Sequence, residues 1–185
     1  LLAELRLRKS DSEIKHMRKS ALIASDAHLS AMKETSGATT ESVIQSIIEA
    51  VFTRNSSQCS YGSIVAGGDN ATILHYHSNS EPIQNGDLVL IDAGCEVNGY
   101  ASDITRTWPV SGKFTKSQRE IYEIVLDAQE AAISKCRPGN PWSDPHRAAM
   151  EVISKGLIGL GILNCSLEAA MGKDLNGETR RYFMH

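Results

Sequence analysis

The sequence predicts an α+β fold: helices, then a sheet that contains a hairpin, then helices again. Three observations carry that expectation. Apolar residues recur at helical spacing before residue 55 and again after residue 111. Between those stretches Gly, Asn and Ser increase and β-branched runs appear: "SIVAGG", "ATILHYH", "DLVLIDAG" and "YASDITRTW". The last two runs flank "NG" at Asn98-Gly99, which suits a two-residue hairpin turn because both central residues need positive φ.

The elements follow in order. "SDSEIKHM" opens a helix, with Ser10 and Glu13 at capping-box spacing. Its expected apolar stripe is Ile14, Met17, Ala21, Ala24, Leu29 and Met32, ending at "TSGATT". A second helix places Ile44, Ile47, Ile48, Val51 and Phe52 on one face. Residues 55–110 read as sheet and loops. A third helix starts from a capping box at Thr115 and Gln118 and carries Ile121, Ile124, Val125, Ala128 and Ala132 before "RPG" stops it. A fourth spans about Asp144 to Leu160, with Pro145 in its first turn. The remainder reads as loop, with a strand beginning at "RRYFMH". Two helices and then a sheet, started again near residue 111, suggest two structural repeats without a sequence repeat. The expected division is residues 1–110 and an incomplete second part, 111–185. Both ends of the chain look cut, so it reads as a piece of a longer protein.

Composition narrows the function classes. The 185 residues suffice for one sizeable domain, and 41% apolar with 22% charged residues describes an ordinary globular protein. A net charge of −3 argues against nucleic acid or an anionic membrane as partner. No apolar run approaches the ~20 residues of a membrane span, and the charged opening is not a signal peptide. Cys59, Cys95, Cys136 and Cys165 form no CxxC pair and read as reduced thiols of a cytoplasmic protein.

"VLIDAGCEVNGYASDITRTWP" places Asp92 and Asp103 among residues that suit a strand, where Asp is usually excluded. With the turn at Asn98-Gly99, Val97 faces Tyr100, Glu96 faces Ala101 and Gly94 faces Asp103. Asp92 then shares a face with Asp103, diagonally across the hairpin. Two carboxylates about 5 Å apart repel by roughly 3 kcal/mol at an effective dielectric of 20. A shared proton or a cation would relieve that, and Gly94 would leave room for an approaching group. Three readings stand: solvated carboxylates, an acid/base pair, or metal ligands. Oxygen donors suit Mn, Mg or Ca, and with His added also Zn, Fe or Co.

"LHYH" sets His75 and His77 at i, i+2, on one face of an expected strand. They could be a metal pair, although a lone polar site at a strand end is commoner. His16, His28 and His146 read as surface or helix-packing residues.

"LVLIDAGCEVNGYASDITRTWPVSGKFTKSQREIYEIVL" closely resembles the aminopeptidase P (Xaa-Pro aminopeptidase) branch of the pita-bread metallopeptidases. "SYGSIVAGGDNATILHY", "LRLRKSDSEIKHMRKS" and "RRYFMH" fit the same family, with a weaker likeness from about Asn140 to Glu178. The resemblance implies two similar αβ halves, each an antiparallel sheet backed by helices, the chain holding the first and the start of the second. It implies a centre of two divalent metals, most often Mn²⁺, with Asp92 and Asp103 as the first two ligands. The remaining His and two Glu ligands would lie beyond residue 185. His75 matches a family histidine that binds substrate and steadies the reaction centre. His185 matches a histidine that acts beside the metals, and His77 has no counterpart. Tyr61, in "SYGSIV", and Thr105, in "SDITRTWP", are weaker candidates for supporting the centre or the substrate.

The implied reaction is hydrolysis of the bond between an N-terminal residue and a following proline, in peptides with proline second. Metals would activate water and polarise the scissile carbonyl, while His75 and His185 donate hydrogen bonds. A homo-oligomer is also implied, and the isolated chain is expected to be inactive. Prolidase, a dipeptidase of the same fold, is the rival enzyme; methionine aminopeptidase fits "DITRTWP" less well. A non-catalytic pita-bread module is the rival of another class.

Overall fold

A computed structural model describes residues 2–183. They form two compact units that divide between Phe114 and Thr115.

In the first unit, a short helix α1 (Leu2–Leu7) precedes α2 (Asp11–Glu34) and α3 (Glu41–Arg54). Six strands follow: β1 (Gln58–Cys59), β2 (Ile64–Gly67), β3 (Leu88–Ala93), β4 (Cys95–Val97), β5 (Tyr100–Ala101) and β6 (Ile104–Pro109). They make two antiparallel sheets, ordered β1-β4-β5 and β2-β3-β6.

The capping box of α2 is present: the Ser10 hydroxyl accepts from Glu13 N, and Ser10 N donates to the Glu13 carboxylate at 2.6 Å. Its buried face shares only Ala24 with the expected stripe. Ser20, Ile23, Ala24, Ala27, His28 and Ala31 are buried, while Ile14, Met17, Leu29 and Met32 are exposed. Small side chains bring α2 close to the sheet: the Cys95 thiol reaches the Ser20 carbonyl at 3.4 Å. In α3 the expected face holds, with Ile44, Ile48 and Phe52 buried and Ile47 and Val51 packed at the margin. These residues meet Val65, Val89, Ile91, Ala93 and Trp108 in one core. Burying each large side chain contributes roughly 1.5–3 kcal/mol. Trp108 Nε1 donates to Thr35 Oγ1 at 2.9 Å, which satisfies the indole's polar end inside that core.

Three strand expectations change. "ATILHYH" is a 3-10 turn at Gly68–Thr72 followed by irregular chain, and His75 has φ 54°. Its β-branched composition is outweighed by a left-handed residue that no strand accommodates. "YASDITRTW" is two strands, interrupted at Ser102 and Asp103. "RRYFMH" is no strand over its described part: a 3-10 turn covers Glu178–Arg181, and Met184 and His185 lie outside the described residues. The short strand β1 was not foreseen.

The second unit contains α4 (Lys116–Lys135), α5 (Ser143–Gly159) and the unforeseen α6 (Leu167–Met171). Thr115 and Gln118 form the expected capping box. A Cβ at Gly156 would fall 2.6 Å from Ile124, so a glycine there is what lets α4 and α5 approach. Leu157, Leu163 and Ala170 form a small core, and Ser154 Oγ meets Thr179 Oγ1 at 2.6 Å. Of the expected α4 stripe only Ala128 is buried; Ile121 and Val125 are exposed.

Candidate active site

Strand β3 alternates strictly. Val89, Ile91 and Ala93 are buried in the core, and Leu88, Leu90 and Asp92 are half-buried on the opposite face. That second face has only a small apolar cluster, Ile64, Ala66, Tyr76 and Leu90. Asp92 thus sits in a strand without entering the main core.

The hairpin register agrees with the sequence. Asn98 and Gly99 have φ 53° and 83°, Val97 pairs with Tyr100 and Glu96 with Ala101. Ala93 pairs with Ile104 and Asp92 with Thr105, so the same register resumes below the break. Asp103 therefore falls on the face of Asp92.

The two carboxylates converge on one atom. Tyr61 Oη lies 2.5 Å from Asp92 Oδ1 and 3.0 Å from Asp103 Oδ1. A phenol carries one proton, so three converging oxygens share a single hydrogen at this point. Burial and the hydrogen bond to Asp92 push the Tyr61 pKa far above its ordinary value, which keeps that proton in place. Neither aspartate makes an ion pair among the described residues. Two acidic oxygens without a cationic neighbour fit a site that takes a cation. Among the described residues, no group of three or more His, Cys, Asp or Glu is arranged to hold a metal.

Gly94 has a different role from the one expected. A Cβ there would lie 1.8 Å from the Ser102 carbonyl oxygen and 2.8 Å from Ser60 Oγ. The space is filled by the hairpin's own backbone. Ser60 Oγ donates to that same carbonyl at 2.9 Å, and Ser102 Oγ accepts from Cys95 N at 3.1 Å. Ser102 N still donates to the Cys95 carbonyl at 2.8 Å, so the hydroxyl replaces only the reverse bond of that ladder step, and together these bonds set the backbone on which Asp103 follows.

Thr105 stands directly opposite Asp92 in the ladder and is exposed. His75 and His77 are both exposed, on irregular chain and not on one strand face. His185 lies outside the described residues. His16 stacks on Tyr100 with ring centroids 5.7 Å apart. His28 is buried in α2, its Nδ1 bonded to Ala24 O at 2.9 Å. An open cleft of about 600 Å³, lined by Gly67, Asn70, Tyr76, Glu81 and Asp87 among others, includes neither aspartate.

The sequence pattern of metallopeptidase family M24 matches residues 15–185. The chain belongs to metallopeptidase family M24. This M24 chain is 45% identical to the Xaa-Pro aminopeptidase of Haemophilus influenzae, over 100% of its own length and 43% of the relative's. With the Xaa-Pro aminopeptidase of Escherichia coli K12 it shares 41% identity, over 98% of this chain and 41% of that one. Among solved structures it resembles Pseudomonas aeruginosa aminopeptidase PepP, with TM-score 0.85 and 43% identity over 89% of this chain and 37% of that one. It likewise resembles the Zn-substituted Escherichia coli aminopeptidase P in complex with product, with TM-score 0.86 and 42% identity over 89% and 38% of the two chains. The α+β, pita-bread fold is thereby shown. The chain spans about two fifths of the length of these relatives.

Proposed function

We propose that the protein containing this chain hydrolyses the peptide bond between an N-terminal residue and a following proline, at a centre of divalent metal ions. The observation that carries this reading is the convergence of Asp92 and Asp103 on the Tyr61 hydroxyl, from one face of an M24 hairpin. The relatives named Xaa-Pro aminopeptidase support the substrate class.

In this proposal Asp92 and Asp103 are the first two ligands, and the remaining ones lie outside the described residues. When bound, two divalent ions, Mn²⁺ in our reading, would supply Lewis-acid polarisation of the scissile carbonyl and an acidified water. The chain's own residues prepare the place. Tyr61 holds both Oδ1 atoms toward a common point, and no hydrogen bond among the described residues engages either Oδ2. Thr105, across the ladder from Asp92, supports that carboxylate's orientation. His75 and His185 donate hydrogen bonds to the substrate carbonyl or to the oxyanion developing from it. We assign residues 1–110 to the first αβ half and 111–185 to the start of the second, a boundary close to the division between Phe114 and Thr115. The four free cysteines agree with a reducing compartment, the cytoplasm in this proposal. No helix among the described residues is long and apolar enough to cross a membrane.

The test is cleavage of an Xaa-Pro-Xaa peptide and of a Gly-Pro dipeptide by the full-length protein with added Mn²⁺. The longer peptide should be cleaved, and Asp92→Ala with Asp103→Ala should abolish both turnover and bound metal. Preference for the dipeptide would make the enzyme a prolidase. No cleavage of either would overturn the reading, and turnover by the isolated 185-residue chain would show that the outlying ligands are dispensable.

A further inference from the structure

Residues 67–81 carry His75, yet beyond the last residue of β2, Gly67, they hold no regular structure except the 3-10 turn at Gly68–Thr72. One side chain ties this segment together. Glu41, the first residue of α3, is fully buried. Its Oε1 accepts from Gly67 N at 2.8 Å and from Asn70 Nδ2 at 3.0 Å. Its Oε2 accepts from Tyr76 Oη at 2.8 Å and from Glu81 N at 3.0 Å. Asn70 Nδ2 also donates to Tyr76 Oη at 3.1 Å. The far end is doubled by backbone bonds, Glu41 N to Glu81 O at 3.0 Å and Ile83 N to Thr39 O at 3.1 Å.

All four side-chain contacts of Glu41 are donors, and all four come from this one segment. A carboxylate, which only accepts and offers two oxygens, matches the set; a glutamine would not. An apolar residue could fill the volume but would leave the donors unsatisfied. The segment also holds His75 at φ 54°, a conformation that a non-glycine residue keeps only where its surroundings fix it. Its neighbour Tyr76 is fixed by Glu41, and Ile73 N by Asn70 O at 3.0 Å.

We infer that Glu41 is a positioning residue: by gathering Gly67, Asn70, Tyr76 and Glu81 it sets the backbone that places His75 for the reaction. This rests on the role proposed above for His75. Glu41 acts through the segment and touches neither the aspartates nor substrate. Its partners lie 26 to 40 residues away in sequence, so no local pattern announces it.

The experiment uses the full-length protein with Glu41→Gln, Tyr76→Phe, His75→Ala and the double variant Glu41→Gln/His75→Ala. Glu41→Gln keeps the size but turns one acceptor into a donor facing donors. Its kcat should fall about tenfold or more while KM stays within about threefold, with metal content unchanged. The double variant should be no slower than His75→Ala alone, because both changes act through one group. Multiplied losses would overturn the inference and leave Glu41 a general stabiliser. Hydrogen exchange reads the same point without activity. Amides of residues 68–80 should exchange faster in Glu41→Gln, with those of Leu88–Ala93 unchanged; equal protection of 68–80 would also overturn it. Should Glu41→Gln fail to fold, Tyr76→Phe removes one donor and keeps the ring, with the same readouts and a kcat loss of about threefold expected. A wild type that cleaves no Xaa-Pro bond would overturn the peptidase reading and the reaction role together. A cleaving wild type matched by Glu41→Gln would overturn this inference alone.

Discussion

The two faces of the β2-β3-β6 sheet share the same strands and do opposite things. On one, Val89, Ile91 and Ala93 are wholly buried against α2 and α3. On the other, Leu90 joins a cluster of a few residues and Asp92 stands half-buried beside Tyr61. A strand one residue wide thus separates the face that holds the fold from the face that carries the proposed site. The core face carries the burial energy, so the other can keep converging carboxylates that would weaken an ordinary core.

That contrast can be broken most sharply at the carboxylates. Asp103→Ala in the full-length protein should lower kcat/KM by roughly 10³ or more, about 4 kcal/mol of transition-state stabilisation. Its urea midpoint without added metal should stay level or rise, since a repelling pair has lost one member. A variant that unfolded readily would mean that this face also bears structure. Ile91→Ala, next door on the core face, should show the converse. A cavity there is expected to cost about 2–5 kcal/mol in denaturant unfolding, with activity per folded molecule retained. Thr35→Val removes the acceptor of the buried Trp108 Nε1 and should cost roughly 1–3 kcal/mol, read as a shifted melting temperature.

The smallest effect should come from the hairpin's far end. Glu13 Oε1 accepts from Tyr100 Oη at 2.7 Å, and the Ser10 backbone N–H and hydroxyl bind Oε2. The Ser10 backbone bond above all, then Tyr100, lower the Glu13 pKa from 4.5 to about 2. A folded-state pKa below the unfolded one contributes stability that is complete above about 4.5 and lost as pH falls toward 2. Glu13→Gln should therefore flatten the stability profile across that window and leave the rest unchanged. An unaltered slope there would show that Glu13 does not couple α2 to the hairpin.

The hairpin was legible because its evidence is local. The Asn98-Gly99 turn demands a conformation that few other pairs tolerate, and strand parity then places both aspartates. The face of α3 was legible because large apolar residues mark it. The face of α2 was not, Ala24 apart: Ala27 and Ala31 pack beside it, and their small side chains carry a weak signal next to Leu29 and Met32. "ATILHYH" misled because β-branched residues also occupy turns held by distant partners, here Glu41. Tyr61 was singled out only by resemblance, since nothing near it in sequence points to Asp92. Gly94 was placed at the right position with the wrong neighbour, because the approach of the Ser102 carbonyl depends on the folded hairpin.

The unbroken register across the ladder gap also governs how this hairpin can change in length. A residue added at the Asn98-Gly99 tip only enlarges the loop, and every pair from Val97–Tyr100 down to Asp92–Thr105 persists. A residue inserted into or deleted from either arm, between Ala93 and Val97 or between Tyr100 and Ile104, forces a slip of one position. If the slip falls on the base side, one aspartate is carried to the core face and the pair is dismantled without either carboxylate being touched. Indels should therefore be tolerated at the apex and rejected in the arms, and a peptide tag spliced between Asn98 and Gly99 should leave the aspartates facing one another.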